Sequence, residues 1–328
     1  MDRDHDRTPS ELGTFLRSRR ARLTPEQVGL AAYGARRVPG LCREELAMLA
    51  GVSATYYTRL EQGHSTNASA SVLDAVATAL QLADAERAHL HDLARPTAPR
   101  RRLPSRPDSA RPGLRRLVDA MQEVPAVLVG RCTEVLAWNR LGHALLAGHC
   151  DFRAPERPDG RPNLTSMLFL DPHSRELHAR WQDETSRAVA SLRLVAGRHR
   201  EDAGLAQLIG ELSIKSPRFA TLWSKHPVHN CVSGTKHFLH PEVGALELDF
   251  EVMEVPDRPG QRLVAYTAAP GTPSAASLSL LRGVADESDR GRDRGAGVSR
   301  AAHLADQVAP SQVPTRPDVV TLPARTSR

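Results

Sequence analysis

Lysine, cysteine and aromatic residues are all scarce in this chain of 328 residues, and each shortage excludes something. Phenylalanine, tryptophan and tyrosine make up 4% of it. A pocket built from such material is walled mainly by leucine, valine and alanine. That suits an aliphatic guest better than a stacked, flat cofactor. The four cysteines, Cys42, Cys132, Cys150 and Cys231, are scattered and never reach CxxC spacing. This argues against a disulfide framework and a thiolate zinc site, and for reduced thiols in a cytoplasm, with a redox sensor as the lesser alternative. No apolar run nears the roughly 20 residues that a membrane helix needs. The start, MDRDHDR, is charged and lacks an apolar signal region. The expectation is a soluble, cytoplasmic protein without a membrane partner. Sequence patterns of common enzymes are missing too: there is no GxSxG, no GxxxxGK[ST] and no HExxH.

What is present begins with charge. The formal net charge is +6 and the pI is near 9.5, which favours an anionic partner. The basic residues are nearly all arginine, suited to phosphate and guanine, although arginine beside abundant Ala, Gly and Pro can also be a composition bias.

The segment Arg43 to Gln62, REELAMLAGVSATYYTRLEQ, reads as two short helices about a tight turn. Leu46, Ala47 and Ala50 give the first helix an apolar side, Gly51 supplies the bend, and Val52 fills the corner. Ser53 is fit to cap the second helix, where Tyr57 and Leu60 face inward. That leaves Ala54, Thr55, Thr58, Arg59 and Gln62 outward. This is the layout of a helix-turn-helix whose second helix enters the major groove. A helix corner that only packs is the alternative.

The surroundings favour DNA. Ser10 to about Leu23 reads as a helix with Leu12, Phe15, Leu16 and Leu23 on one stripe and Arg17, Arg19, Arg20 and Arg22 elsewhere. These arginines are either a solvated face or contacts to the DNA backbone. An irregular loop bears Arg36 and Arg37. Glu44 and Glu45 suit the first turn of the next helix, which Cys42 caps poorly. After Gly63, HSTNASAS is a polar loop fit to clasp a phosphate or merely to connect. Helices over about Ser71 to Leu82 and after a capping Asp84 complete a five-helix domain over 9–95. Residues 96–112 are a Pro- and Arg-rich linker, with Arg100, Arg101 and Arg102 either along DNA or in solvent.

A second domain covers 113–284. A helix near Leu114 to Gln122 leads into the strands VPAVLVGRC and VLAWN, followed by the helix NRLGHALLA. Asn163 to Leu170 reads as a short helix, and His173 to His199 as one long helix. DAGLAQLIGELS and SPRFATLWSK fit two more. Three strands close the domain, the middle one alternating Leu246, Leu248, Phe250 and Val252 inward with Glu247, Asp249 and Glu251 outward. A helix over Ser274 to Arg282 ends it. The expected fold is α+β, an antiparallel sheet of about five strands with helices gathered on one face. Residues 285–328, poor in apolar groups, are expected to be a disordered tail.

The stretches GLCREELAMLAGVSATYYTRLEQG and SVLDAVATALQLADAERAHLHDLARP resemble the XRE DNA-binding domain of lambda-repressor and Cro type. The loop ARRVPGL is similar to its MmyB-like branch, although Cys42-Arg43 stands where that branch usually carries two basic residues. NLTSMLFLDP, GELSIKSPRFATLW, SGTKHFLHPEVG and PGQRLVAYTAAPGTPSAASLSLL resemble the PAS-like ligand-binding domain of the same regulators. The resemblance implies a sensor pocket between sheet and helices for a small apolar, fatty-acid-like ligand; the expected protein is a nucleoid-associated, sequence-specific transcription regulator, a homodimer on a double-stranded operator. The expected phosphate contacts are Arg36, Arg37, Arg43, Ser53, His64 and Thr66. The expected pocket lining is Val127, Val129, Leu136, Trp138, Leu145, Phe169, Leu192 and Phe250. No cofactor, metal or catalytic residue is expected.

Other readings rank lower. His226, His229, Cys231, His237 and His240 invite a zinc site, but His229 and His237 lie about 26 Å apart on an extended strand. Glu247, Asp249 and Glu251 alternate as a solvated face rather than as catalytic carboxylates. Trp138, Asn139, Trp181, Phe219 and Trp223 are core or pocket wall. The leading alternative function is a DNA-binding protein whose second domain only dimerises or binds a protein; an enzyme ranks third.

Overall fold

A computed structural model gives the fold and describes residues 10–30, 38, 40–64, 68–95, 108–229 and 231–287. Among the described residues five α-helices form the first domain: α1 (Glu11–Arg20), α2 (Arg43–Leu49), α3 (Ala54–Glu61), α4 (Ala70–Ala79) and α5 (Asp84–Ala94). Local chemistry sets their starts. The Ser10 hydroxyl accepts from the Gly13 amide at 3.0 Å, and the Ser53 hydroxyl from the Tyr56 amide at 3.1 Å. Cys42 is a poor cap, as expected, and Glu45 compensates by accepting from the Cys42 amide at 2.7 Å. One expected cap moves: Ala83 precedes α5, and Glu86 rather than Asp84 accepts its amide at 3.3 Å. Gly51 takes φ 66° between α2 and α3, a value that few side chains tolerate.

The second domain begins with α6 (Pro112–Ala120), β1 (Ala126–Val129), β2 (Val135–Trp138) and α7 (Arg140–Ala147). There follow α8 (Leu164–Leu170), α9 (Pro172–Leu177), α10 (Trp181–Arg198), α11 (Ala203–Lys215) and α12 (Pro217–Ser224). Then come β3 (Ser233–His240), β4 (Gly244–Glu254), β5 (Arg262–Thr267) and a helix over 273–287, α13. The strands form one antiparallel sheet in the order β2-β1-β5-β4-β3. Asn139 locks its β2 end: its Oδ1 caps α7 at Gly142 (2.7 Å) and accepts from the Ala126 amide (3.0 Å).

Two expectations need correction. The single helix over His173 to His199 is two, α9 and α10. Between them the Ala179 amide donates to the His237 carbonyl at 3.0 Å, and that edge pairing breaks the helix. Nor do all helices share one face of the sheet. Val127 and Val129 of β1 pack with α7, whereas Ala126 and Leu128 pack with Val118 of α6. Beyond α6 that second face is open, and Glu247, Asp249 and Glu251 are exposed there.

The two domains share apolar packing. Leu194 of α10 and Val228 belong to the same buried cluster as Phe15, Leu16, Tyr57, Leu60 and Leu90 of the first domain. Of the linker expected over 96–112 and the tail expected over 285–328, residues 96–107 and 288–328 lie outside the described residues, while Pro112 already opens α6 and residues 285–287 continue α13.

Candidate functional site

The periodicity of α3 fixes what it offers. Tyr57 and Leu60 are fully buried. Thr55, Arg59 and Gln62 are exposed, and Thr58 is half-buried beside them. Ala54 leans inward: it is half-buried and packs on the core, so it presents less outward surface than expected. Ser53 and His64 are exposed, although the Ser53 hydroxyl is already engaged as a cap. Arg36, Arg37 and Thr66 lie outside the described residues.

Arg43 is committed to another task. Its Nε and Nη2 each lie 3.0 Å from Oε1 of Glu61. The Glu61 side chain is wholly buried, and Arg20 clamps it from α1 at 3.0 and 3.1 Å. Three helices are thus pinned at one carboxylate. Burial pushes the Glu61 carboxyl up, but the hydrogen bonds and charge of Arg20, with the charge of Arg43, hold it below its ordinary value. Gly13 permits the approach, since a Cβ there would sit 1.9 Å from the Glu61 carbonyl oxygen. Sequence reading gave Glu61 no role. The i, i+4 step from Tyr57 was the available signal, because it puts Glu61 on the buried side of α3.

Of the arginines in and just after α1, Arg19 and Arg20 are engaged inside the fold, whereas Arg17, 3.7 Å from Glu61, and Arg22 keep side chains 51% and 50% exposed. Arg19 is buried, pairs with Glu86 at 2.8 Å and donates to the His226 carbonyl at 2.7 Å. Arg20 serves Glu61, and Arg22 lies 3.5 Å from Glu86.

In the second domain the expected pocket residues fall into three groups. Val127, Val129, Trp138, Leu145 and Phe250 do pack in one cluster, between the sheet and α7. Leu136 instead packs beneath α6, after an irregularity in β1–β2 pairing at Leu128/Val129. Phe169 and Leu192 pack with α11 and α12, Phe169 edge-on to Phe219 at 5.2 Å. One pocket lined by all eight does not form, because strand alternation and helix direction send them to different layers. The α7-side layer also holds a polar contact, the buried Glu184 with Lys236 at 2.5 Å.

The histidine–cysteine group disperses as well. His237 faces Glu247 at 3.4 Å, His240 contacts the Ala144 carbonyl at 3.0 Å, and His226 sits at the domain contact. Among the described residues no group of three or more His, Cys, Asp or Glu is placed to hold a metal.

That domain contact is the least expected feature. His89 of α5 is buried against Gly197 of α10, and its ring meets Phe15 edge-on at 5.1 Å. Burial, then the charges of Arg193 and Arg19, lower the His89 pKa to about 3. Burial and the same arginines lower that of His226 to about 4. Arg193 is buried beneath Trp223, 3.8 Å from its ring, and donates to the Trp223 carbonyl. Arg200 donates to the Leu93 carbonyl at 3.1 Å, and Arg198 pairs with Asp92 at 3.4 Å.

A capped helix-turn-helix with its second helix open to solvent, docked on an α+β module, defines a two-domain regulator of the helix-turn-helix class. Residues 11–90 match the family model of a helix-turn-helix domain. Residues 110–281, more than half of the chain, match that of the MmyB-like transcription regulator ligand binding domain. The chain belongs to the MmyB-like transcription regulators, a DNA-binding family with a ligand-binding domain. No curated protein matches it. No helix among the described residues is long and apolar enough to cross a membrane.

Proposed function

We propose that the protein is a sequence-specific regulator that binds paired half-sites as a homodimer in the cytoplasm, under control of a small apolar, fatty-acid-like ligand. The observation that carries the reading is the outward edge of α3, where Thr55, Arg59 and Gln62 stand exposed over a buried Tyr57 and Leu60. In this reading Thr55, Thr58, Arg59 and Gln62, with Ala54 at the helix start, face base edges. Ser53 and His64 lie at phosphates, together with Arg36, Arg37 and Thr66. Arg43 is a contact only if it leaves Glu61. The docking of α10 on α5 supports coupling, since a ligand that shifts α10 shifts the first domain with it.

Selection of duplexes from a random pool with the full chain tests this. The expected result is two similar half-sites about one helical turn, ~34 Å, apart. Recovery of no preferred sequence sinks the reading. For the ligand, native mass spectrometry after gentle purification is expected to show a lipid-sized mass on the dimer; an empty dimer favours a pure dimerisation module.

A further inference from the structure

The face of the sheet turned away from α7 and α10 is only partly covered. α6 lies over Leu128 of β1 and Leu263 of β5, in one buried cluster. Its cover stops there: Met253, the partner of Leu263 on β4, is 44% exposed. From Met253 the open strip runs along β4 through Glu251, Asp249, Glu247 and Ala245. It crosses to Leu239 of β3, which pairs with Ala245 and is 53% exposed. An antiparallel sheet can leave a polar face to water. This strip is acidic in the middle but carries a large apolar side chain at each end.

Among the described residues nothing covers the outer side of α6 either. Val118 is buried against the sheet, while Gly113, Arg116, Leu117 and Ala120 are exposed, Leu117 to 52%. Gly113 and Ala120 are small, so this ridge can approach a flat surface closely. Asp119 points to the flank opposite Leu117. Arg111 and Arg115 make exposed pairs, with Asp257 at 2.8 Å and Glu156 at 3.6 Å. The side chains of Arg116 and Glu251 have no ion-pair or hydrogen-bond partner among the described residues. Each surface therefore carries what the other lacks: cations and a leucine on the helix, acids with a methionine and a leucine on the strip.

α6 is held over β1 and β5 and cannot also lie on its own strip. A second copy, turned about a two-fold axis, can place its α6 there and receive this one in return, so that every contact is made twice. The lengths agree. The strip from Ala245 to Met253 spans roughly 27 Å, and the nine residues of α6 span roughly 14 Å.

We infer that the open strip of β4 and β3 is the seat of α6 from a second copy of this chain, with Arg116 against Glu251 and Leu117 on the apolar part of the strip. The inference rests on the homodimer reading above and supplies its interface. α10, on which the first domain packs, meets the other face of the sheet through Lys236 and Arg262. The pairing thus keeps each first domain on the far side of its own sheet.

Analytical ultracentrifugation of the full chain over a range of concentrations tests this, with Arg116→Glu and Glu251→Arg. Both positions are exposed, and thermal melts check that the fold is kept. Each variant alone sets like charges together in both contacts and is expected to weaken the dimer at least about tenfold. An equimolar mixture behaves differently. The reversed helix of one variant then meets the reversed strip of the other, and the unchanged helix meets the unchanged strip. The mixture is therefore expected to recover most of the wild-type affinity. Leu117→Ser replaces a charge variant that melts early, and is expected to weaken the dimer as well. A dimer indifferent to these variants, or a mixture no tighter than the variants alone, overturns the inference and leaves the homodimer reading standing. A wild-type chain that stays monomeric at every concentration overturns both.

Discussion

His89 lies so close to Gly197 that a Cβ at position 197 would sit 2.5 Å from its ring. The contact joins α5 of the DNA-binding domain to α10 of the ligand domain. Alanine is favoured over glycine inside a helix by up to ~1 kcal/mol. Overpacking a filled site costs about 1–3 kcal/mol. His89 is 2% exposed and held against Phe15, so it has nowhere to retreat. Gly197→Ala is therefore expected to destabilise the domain contact on balance. Differential scanning calorimetry is expected to broaden or split the transition, and His89→Ala in the same chain to restore part of the loss.

The same contact is sensitive to acid. His89 and His226 are held neutral, with pKa values of about 3 and about 4 against the ordinary 6.5. Arg19 from α1 and Arg193 from α10 both oppose protonation of each ring, Arg198 adds to this at His89 and Arg22 at His226, and Glu86 pairs with Arg19. Protonation thus favours the undocked or unfolded state. The contribution of these rings is whole above about pH 6.5 and declines as pH falls toward their folded values. Hydrogen exchange at α5 and α10, taken relative to the intrinsic amide rate at each pH, is expected to speed up between about pH 7.5 and about pH 5, more than at the sheet. Equal acceleration in the sheet would remove the special role of this contact.

Much of the molecule is legible in its sequence, for physical reasons that also mark where legibility stops. The α3 segment reads well because Ser53, Tyr57 and Leu60 are fixed by local rules of capping and helical period. The alternation of β4 reads well for the same kind of reason. What stays hidden depends on partners distant in the chain. Glu61 meets Arg20 from 41 positions away, and although the step of four from Tyr57 puts it on the buried side of α3, nothing in TRLEQ names its partners. Arg19 and Arg20 look like part of a basic face until Glu61, Glu86 and the His226 carbonyl are folded against them. The break at His178 needs the edge of β3, and the layer of Leu136 needs the irregularity at Leu128/Val129. Leu192 and Phe169 keep a correct apolar character and a wrong address, since apolarity alone does not tell one layer from the next.

The Glu61 hub predicts a large stability effect. Removing one partner of a buried ion pair typically costs about 3–5 kcal/mol, and Arg43 and Arg20 would both lose their carboxylate. Arg43 is part-exposed, which places Glu61→Ala nearer the lower end, about 3 kcal/mol. Urea unfolding of the full chain measures it. Because the Glu61 carboxyl sits below its ordinary value when folded, its contribution is present above about pH 4.5 and disappears as pH drops through the folded value. The loss of stability on Glu61→Ala should therefore shrink in acid; an effect independent of pH would mean that the ion pairs are not its source.

Arg59 gives the most direct test of the DNA face. It is exposed in the last turn of α3 and its side chain makes no ion pair among the described residues, so truncation should leave the fold untouched. If its guanidinium reads a base, Arg59→Ala weakens the selected operator by about 1–3 kcal/mol and relaxes preference at one position of each half-site. If it only meets a phosphate, the loss is equal on all duplexes and the salt dependence falls by about one counterion. Arg59→Lys separates the cases, since a point charge keeps the phosphate contact and gives up the two-pronged contact to guanine. Competition binding on the selected site and on a scrambled duplex, each at two salt concentrations, distinguishes these outcomes. No change on either duplex would remove α3 from the interface.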